Sequence, residues 1–277
     1  MKGNDTMSKV LVVTSGKGGV GKTTSTAALG AALARAGKNV AIVDFDVGLR
    51  NLDLVMGAER RVVFDLINVI NGDAKLSQAL IRDKRIDTLH LLPASQTRDK
   101  DALTEEGVAG VIAELREKFD YILCDSPAGI ERGATLAMRH ADIAIVVSNP
   151  EVSSVRDSDR IIGLLDSKTM RAENGDRVEK YLLVTRYDPV RADRGEMLKV
   201  EDVLEILSIP LLAVVPESQE VLKASNLGMP VTLGAPNSHP AKAYTDAARR
   251  IMGETIEIEI PTDKRGLLGK IFARKAA

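Results

Sequence analysis

The sequence predicts an α/β fold, a doubly wound, mainly parallel sheet with helices on both faces, followed by a C-terminal amphipathic helix. Three observations point there. Short apolar runs alternate with amphipathic stretches almost to the end of the chain. Those runs are continuously apolar, the pattern of strands covered on both faces. A glycine-rich octapeptide also stands where the first run gives way to the first helical pattern.

The elements follow in order. Val10–Thr14 is a β-branched run, and the Ala-rich stretch Thr24–Arg35 after it is helical, with Gly37 as its stop. Further strands are expected at Val40–Asp44, Leu89–Leu92, Tyr121–Asp125, Ile143–Ser148, Tyr181–Thr185 and Leu211–Val215. Amphipathic helices are expected at Glu105–Lys118, Ser153–Leu165, Val200–Leu207 and Lys242–Met252. Lys168–Lys180 is polar and charged and reads as a surface insertion. The implied organisation is a short extension (1–9), one large α/β domain (10–253), a linker (254–262) and a separate basic segment (263–277).

Composition narrows the function. The 277 residues, 44% of them hydrophobic, suit a single large core. With 38 basic and 39 acidic residues, no global field favours nucleic acid or a membrane, so any such affinity needs a local patch. No run of about 18 apolar residues is present to span a bilayer. The first nine residues are polar and carry no expected leader, and Met7 offers a second start. Cys124 is the only cysteine, which excludes internal disulfides and fits a reducing compartment; its apolar neighbours mark it as core filler.

The octapeptide Gly16-Lys17-Gly18-Gly19-Val20-Gly21-Lys22-Thr23 fits Gly-x4-Gly-Lys-[Ser/Thr], a phosphate-binding loop. Such a loop turns backbone N–H groups onto phosphates, and a side chain at the glycine positions would block that approach. Lys22 is expected to reach the β- and γ-phosphates and Thr23 to ligate Mg²⁺, with Thr24 beside it. Lys17 is extra. Two cations in one short loop repel unless an anion lies between them, and Lys17 cannot easily fold back onto phosphates its own loop surrounds. A solvated lysine, or one reaching a neighbouring subunit's nucleotide, are the readings from chemistry.

Here the sequence resembles the deviant Walker A family of P-loop NTPases, which includes the MinD and ParA ATPases, the nitrogenase iron protein and the arsenite-pump ATPase. The resemblance implies ATP as substrate, Mg²⁺ as cofactor and an ATP-sandwich homodimer in which Lys17 crosses the interface. A single cysteine argues against the iron–sulfur branch, and the absence of an internal repeat against the arsenite-pump branch.

Acidic residues end two strands beside this loop. Asp44 and Asp46 follow Val40–Val43, and Asp125 follows Tyr121–Cys124. Such positions can hold a metal's outer shell or orient a water, and equally can form turns or caps. The resemblance makes Asp44 and Asp46 switch I, with Asp46 near the hydrolytic water, and Asp125 the Walker B acid that opens switch II. It also places Arg186 where several relatives carry an adenine-contacting asparagine.

The last fifteen residues carry five basic groups and one acid, and Leu267, Leu268, Ile271 and Phe272 fall within about 140° of a helical wheel. At 1.5 Å per residue such a helix is roughly 18 Å long, too short to span a bilayer but suited to lying in an anionic membrane surface. A helix docked on its own core is the other reading of the tail alone. The tail, Asp46–Asp53, Pro93–Leu103 and Asn149–Arg160 resemble the septum-site-determining MinD branch specifically. That resemblance implies a cytoplasmic ATPase that is reversibly peripheral on the inner membrane. It implies partners akin to the division inhibitor MinC and the activator MinE, met through a surface that includes Asp157. A DNA-partition ATPase of the ParA kind and a flagellar-number ATPase are the alternatives; nucleic acid is not an expected partner.

Overall fold

The computed structural model describes residues 8–96 and 102–262. Strand β1 (Lys9–Thr14) leads into α1 (Lys22–Arg35) and β2 (Val40–Asp44). The short helices α2 (Leu52–Met56), α3 (Leu66–Ile70) and α4 (Leu76–Ala79) come next, then β3 (Ile81–Arg82) and β4 (Leu89–Leu92). After α5 (Glu105–Arg116) come β5 (Tyr121–Asp125), α6 (Arg132–Met138), β6 (Ile143–Ser148), α7 (Val152–Lys168) and α8 (Met170–Glu173). The order continues with β7 (Glu179–Tyr187), α9 (Pro189–Asp193), α10 (Val200–Leu207) and β8 (Leu211–Pro216). Helices α11 (Gln219–Asn226), α12 (Val231–Gly234) and α13 (His239–Ile251) complete it.

One sheet takes all eight strands in the order β3-β4-β2-β5-β1-β6-β7-β8. Every pairing is parallel except β3 with β4. The expected doubly wound sheet is therefore present, with an antiparallel edge. After β1 the chain builds out to one side through β2 and β4, and later to the other through β6, β7 and β8. The reversal beside β1 makes the crevice beyond its carboxyl end the natural ligand site. Two cores flank the sheet. One gathers the apolar faces of α5, α6, α7 and α10, the other those of α1 and α13. Helix α1 is small-residue-rich because it is buried nearly all round, and Ser25 meets Tyr244 of α13 at 2.8 Å to satisfy two polar groups there.

Several expectations change. Lys168–Lys180 is mostly exposed, as expected, but it is anchored: Thr169 caps α8, Val178 is buried, and Arg171 and Glu173 pair with Asp142 and Arg139 at 3.2 and 2.6 Å. It is a surface connection tied down at two points. Strand β7 runs beyond the expected Tyr181–Thr185 at both ends. Helix α13 starts earlier than Lys242, because Ser238 caps it and Pro240 fits its first turn. Part of the expected linker lies against α13, where Arg250 donates to the carbonyls of Ile256 and Glu257 at 3.0 and 2.6 Å. Residues 263–277 lie outside the described residues. Among the described residues no helix is long and apolar enough to cross a membrane.

Candidate functional site

The loop from Ser15 to Gly21 joins the carboxyl end of β1 to α1. Gly21 caps the helix with φ 98°, a left-handed backbone that a side chain disfavours, and the first turn has no acidic residue and no side-chain cap. Its N–H groups are thus left for an external anion. Lys22 is buried in that first turn, with its ammonium donating to the Ser15 hydroxyl at 2.9 Å. Burial lowers its pKa, although Asp125 and Asp46 pull the other way.

Not every loop residue faces the cleft. A Cβ on Gly16 would lie 2.3 Å from the Asp157 carbonyl oxygen, so Gly16 is required by the close passage of α7. This helix contact is a second demand for glycine here, beside the phosphate approach expected from the motif. Val20 is buried, and its carbonyl accepts from the Thr185 hydroxyl at 2.6 Å; that hydroxyl also lies 3.1 Å from Asn149 Oδ1. Gly16 and Val20 anchor the loop to α7 and β7, while Gly18, Gly19, Gly21, Lys22, Thr23 and Thr24 line a cleft of about 720 Å³. That volume lies in the usual range of small-molecule sites.

Asp44 and Asp125 sit side by side at the ends of β2 and β5, in direct register, and both are buried. Asp44 accepts from the backbone N–H groups of Asp46 and Leu52 at 2.9 and 3.4 Å. Asp125 accepts from the Thr26 hydroxyl at 2.8 Å and from the Thr23 side chain. Burial, with the neighbouring Asp125 charge added, pushes the Asp44 carboxyl well above its usual range. Burial likewise raises Asp125 to about 6, against the hydrogen bonds from Thr23 and Thr26 and the charge of Lys22. Two buried acids so placed outnumber the single Lys22 charge that acts on Asp125, which is the electrostatic setting a divalent cation relieves. Thr23, Asp44 and Asp125 therefore fit a Mg²⁺ site completed by phosphate and water; among the described residues no trio of His, Cys, Asp or Glu forms an all-protein cage. Asp46, one turn of chain beyond, lines the cleft itself.

The far end of the cleft is walled by α2 (Leu54, Val55, with Asn51 at its start), by Arg186 and by Ser225 and Asn226 of α11. Arg186 has φ 54°, where β7 breaks register with β8 between Val184 and Tyr187. The strained bulge delivers this exposed side chain to the cleft, the common use of such a break.

Lys17 does not line the cleft. Its ammonium meets Glu151 at 3.1 Å and Ser153 at 3.0 Å, at the start of α7. Asp157, read from sequence as one of the charges on an exposed helix, is half-buried behind Gly16 and 3.8 Å from Arg160. Leu267, Leu268, Ile271 and Phe272 lie outside the described residues. Sequence reading missed Ser15, Thr26, Ser225 and Asn226, and took in Ser126 and Asn51 only as members of longer stretches. Thr26 alone carried a signal, one helical turn beyond Thr23 and so on the same face of α1.

Comparison with known proteins places the site in context. A family profile described as the CobQ/CobB/MinD/ParA nucleotide binding domain matches residues 11–231. The septum site-determining protein MinD of Escherichia coli is 59% identical over 269 residues, covering 96% of this chain and 99% of that protein. The MinC:MinD cell division protein complex of Aquifex aeolicus superposes with a TM-score of 0.82 at 42% identity, over 91% of this chain and 99% of that one. The Pyrococcus horikoshii MinD structure complexed with Mg-ADP gives a TM-score of 0.78 at 32% identity, over 88% and 96% of the two chains.

Proposed function

Since this chain belongs to the MinD septum site-determining proteins, nucleotide-binding ATPases of the CobQ/CobB/MinD/ParA group, we propose that it is an ATP-timed membrane switch that recruits a division inhibitor of the MinC kind. The observation that carries the reading is the convergence of the Lys22 ammonium, the open first turn of α1 and the acids Asp44, Asp46 and Asp125 on one cleft edge. Mg²⁺ bound near Thr23 would neutralise charge on the β- and γ-phosphates. The chain's own groups do the rest. Lys22 and the α1 N–H groups hold the phosphates, and Asp46, at the cleft wall, orients the attacking water. Asp44 holds the Asp46 and Leu52 backbone in place, so the water-orienting acid is fixed through the buried one. Arg186 and α11 embrace the nucleoside.

Lys17 supplies the dimer contact. Its pairing with Glu151 is half exposed, and such a pair is worth about 0–1 kcal/mol. A γ-phosphate presented by a second subunit carries more charge and can displace Glu151 at small cost. Dimerisation then brings two C-terminal segments onto one body. Each is a weak hold; together the second insertion becomes intramolecular and avidity rises by ~10²-fold or more. Hydrolysis, quickened by an activator of the MinE kind, returns the protein to one tail. Asp157 and the neighbouring surface of α7 serve as the partner face, and their packing against Gly16 supports a link from loop to partner.

Sedimentation with anionic liposomes tests the switch. Binding is expected with ATP, not with ADP, weaker on neutral lipid, and lost in Leu267→Glu and Phe272→Glu with folding intact. Tight binding of the ADP form, or unchanged binding by both variants, overturns it.

A further inference from the structure

The nucleoside end of the cleft is held by a backbone crossing that contributes no atom to the cleft lining. Gly57 follows α2 and Gly228 lies two residues past α11, both at φ 63°. A Cβ on Gly57 would stand 2.6 Å from the Gly228 carbonyl oxygen, and one on Gly228 would stand 2.7 Å from the Gly57 Cα. The two chain segments therefore meet main chain to main chain. Arg85, in the turn between β3 and β4, spans the crossing. Its Nη1 donates to the Gly228 carbonyl at 3.0 Å and its Nη2 to the Met56 carbonyl at 2.8 Å, so one guanidinium grips the segments that close both helices.

Asp83 holds that guanidinium in place. It is buried, accepts from Arg85 Nε at 3.1 Å and Nη2 at 2.7 Å, and also takes the backbone N–H groups of Arg85 and Ile86. Burial pushes the Asp83 carboxyl up, but these bonds outweigh it and its pKa stands below the usual value. The opposite end of α2 is pinned too, by Asp44 through the Leu52 N–H. Helix α2 thus spans from the metal-side acid to the Arg85 clasp.

We infer that Arg85 is a positioning residue for the nucleoside: by clasping α2 to α11 it sets the gap between Leu54 and Val55 on one wall and Ser225 and Asn226 on the other. The inference rests on the ATPase reading above. A fork is needed for the task, because a lysine ammonium cannot reach two divergent carbonyls while stacking its charge on Asp83. A misplaced wall weakens the grip on base and ribose and leaves the phosphate cradle alone.

The test compares ligands that share the phosphate end and differ at the nucleoside end. For Arg85→Lys, calorimetry is expected to give an ADP affinity about 10-fold weaker, with inorganic tripolyphosphate bound as by the wild type. The KM for ATP is expected to rise by about 10-fold, with kcat falling less than about threefold. Asp83→Asn, which leaves the fork in place but loosens it, is expected to shift ADP affinity by about threefold the same way, and carries the test alone should Arg85→Lys not fold. Unchanged ADP affinity in the folded variants, or an equal loss for tripolyphosphate, overturns the inference and leaves the ATPase reading standing. A wild-type protein that binds tripolyphosphate but not ADP or ATP overturns the ATPase reading itself.

Discussion

The two ends of the cleft are built by opposite means. The phosphate end is local and dry. Its groups come from one loop and from the ends of three adjacent strands, β2, β5 and β1, and its key side chains, Lys22, Asp44 and Asp125, are buried. The nucleoside end is assembled from pieces remote in sequence (α2, the β7 bulge and α11), with Arg186 exposed and the walls tied together by Arg85 from a fourth segment. The difference teaches where each kind of change acts. At the phosphate end charge is already under strain before ligand arrives, so substitutions change chemistry and stability in opposite directions. At the nucleoside end they change only how tightly the ligand is held.

The largest effect expected is at Lys22. On the proposed reading Lys22→Ala removes the ammonium that the chain's own loop turns toward the β- and γ-phosphates, and nucleotide affinity measured by calorimetry is expected to fall by about 10²-fold or more. A loss confined to twofold would place the phosphate end elsewhere. Asp46→Ala comes next. Hydrolysis followed by phosphate release is expected to fall by about 10²–10⁴-fold while ATP binding persists, because only water positioning is lost. Normal turnover would remove Asp46 from that role.

Stability supplies the opposite sign. An aspartate in the unfolded chain releases its proton near 3.8, whereas folded Asp125 keeps its proton up to about 6. Between those values the folded state binds more protons, so Asp125 takes stability from the nucleotide-free protein as pH rises through the window, and its own contribution levels off above it. Asp44, raised by burial and by Asp125, acts in the same direction. Asp44→Asn is therefore expected to raise the Tm of the nucleotide-free protein at neutral pH, by about 0.5–2 kcal/mol of stability, and to flatten the fall with pH. Its hydrolysis is expected to drop. A lower Tm for this variant would mean the pair is not strained. The smallest effect is at the nucleoside end, where Arg186→Ala is expected to weaken ADP by about threefold to tenfold and to leave Tm unchanged, since its side chain is exposed.

The same contrast explains what the sequence disclosed. Strands such as Val40–Asp44, Tyr121–Asp125 and Ile143–Ser148 are continuous apolar runs, and their observed bounds coincide with expectation. The phosphate loop was legible because its chemistry is contiguous, and Asp44 and Asp125 because strand ends in a parallel sheet converge. Short elements were not. Helices α2, α3 and α4 have five residues or fewer, too short to show a period, and β3 is a two-residue edge. Gly16 and Val20 carry a second role that the motif does not disclose. Their motif position suggests phosphate, and their tertiary neighbours, Asp157 and Thr185, add contacts that anchor the loop. Arg85 showed only a local partner, Asp83, because the main-chain carbonyls it clasps are brought together by the fold.

On the proposed switch, ATP and no other state draws two copies together through Lys17. Light scattering in the Asp46→Ala background, where ATP persists, reads this directly. Twice the monomer mass is expected with ATP and the monomer mass with ADP. Adding Lys17→Ala is expected to restore the monomer mass with ATP still bound. A dimer that forms equally with ADP, or that survives loss of Lys17, would contradict the account.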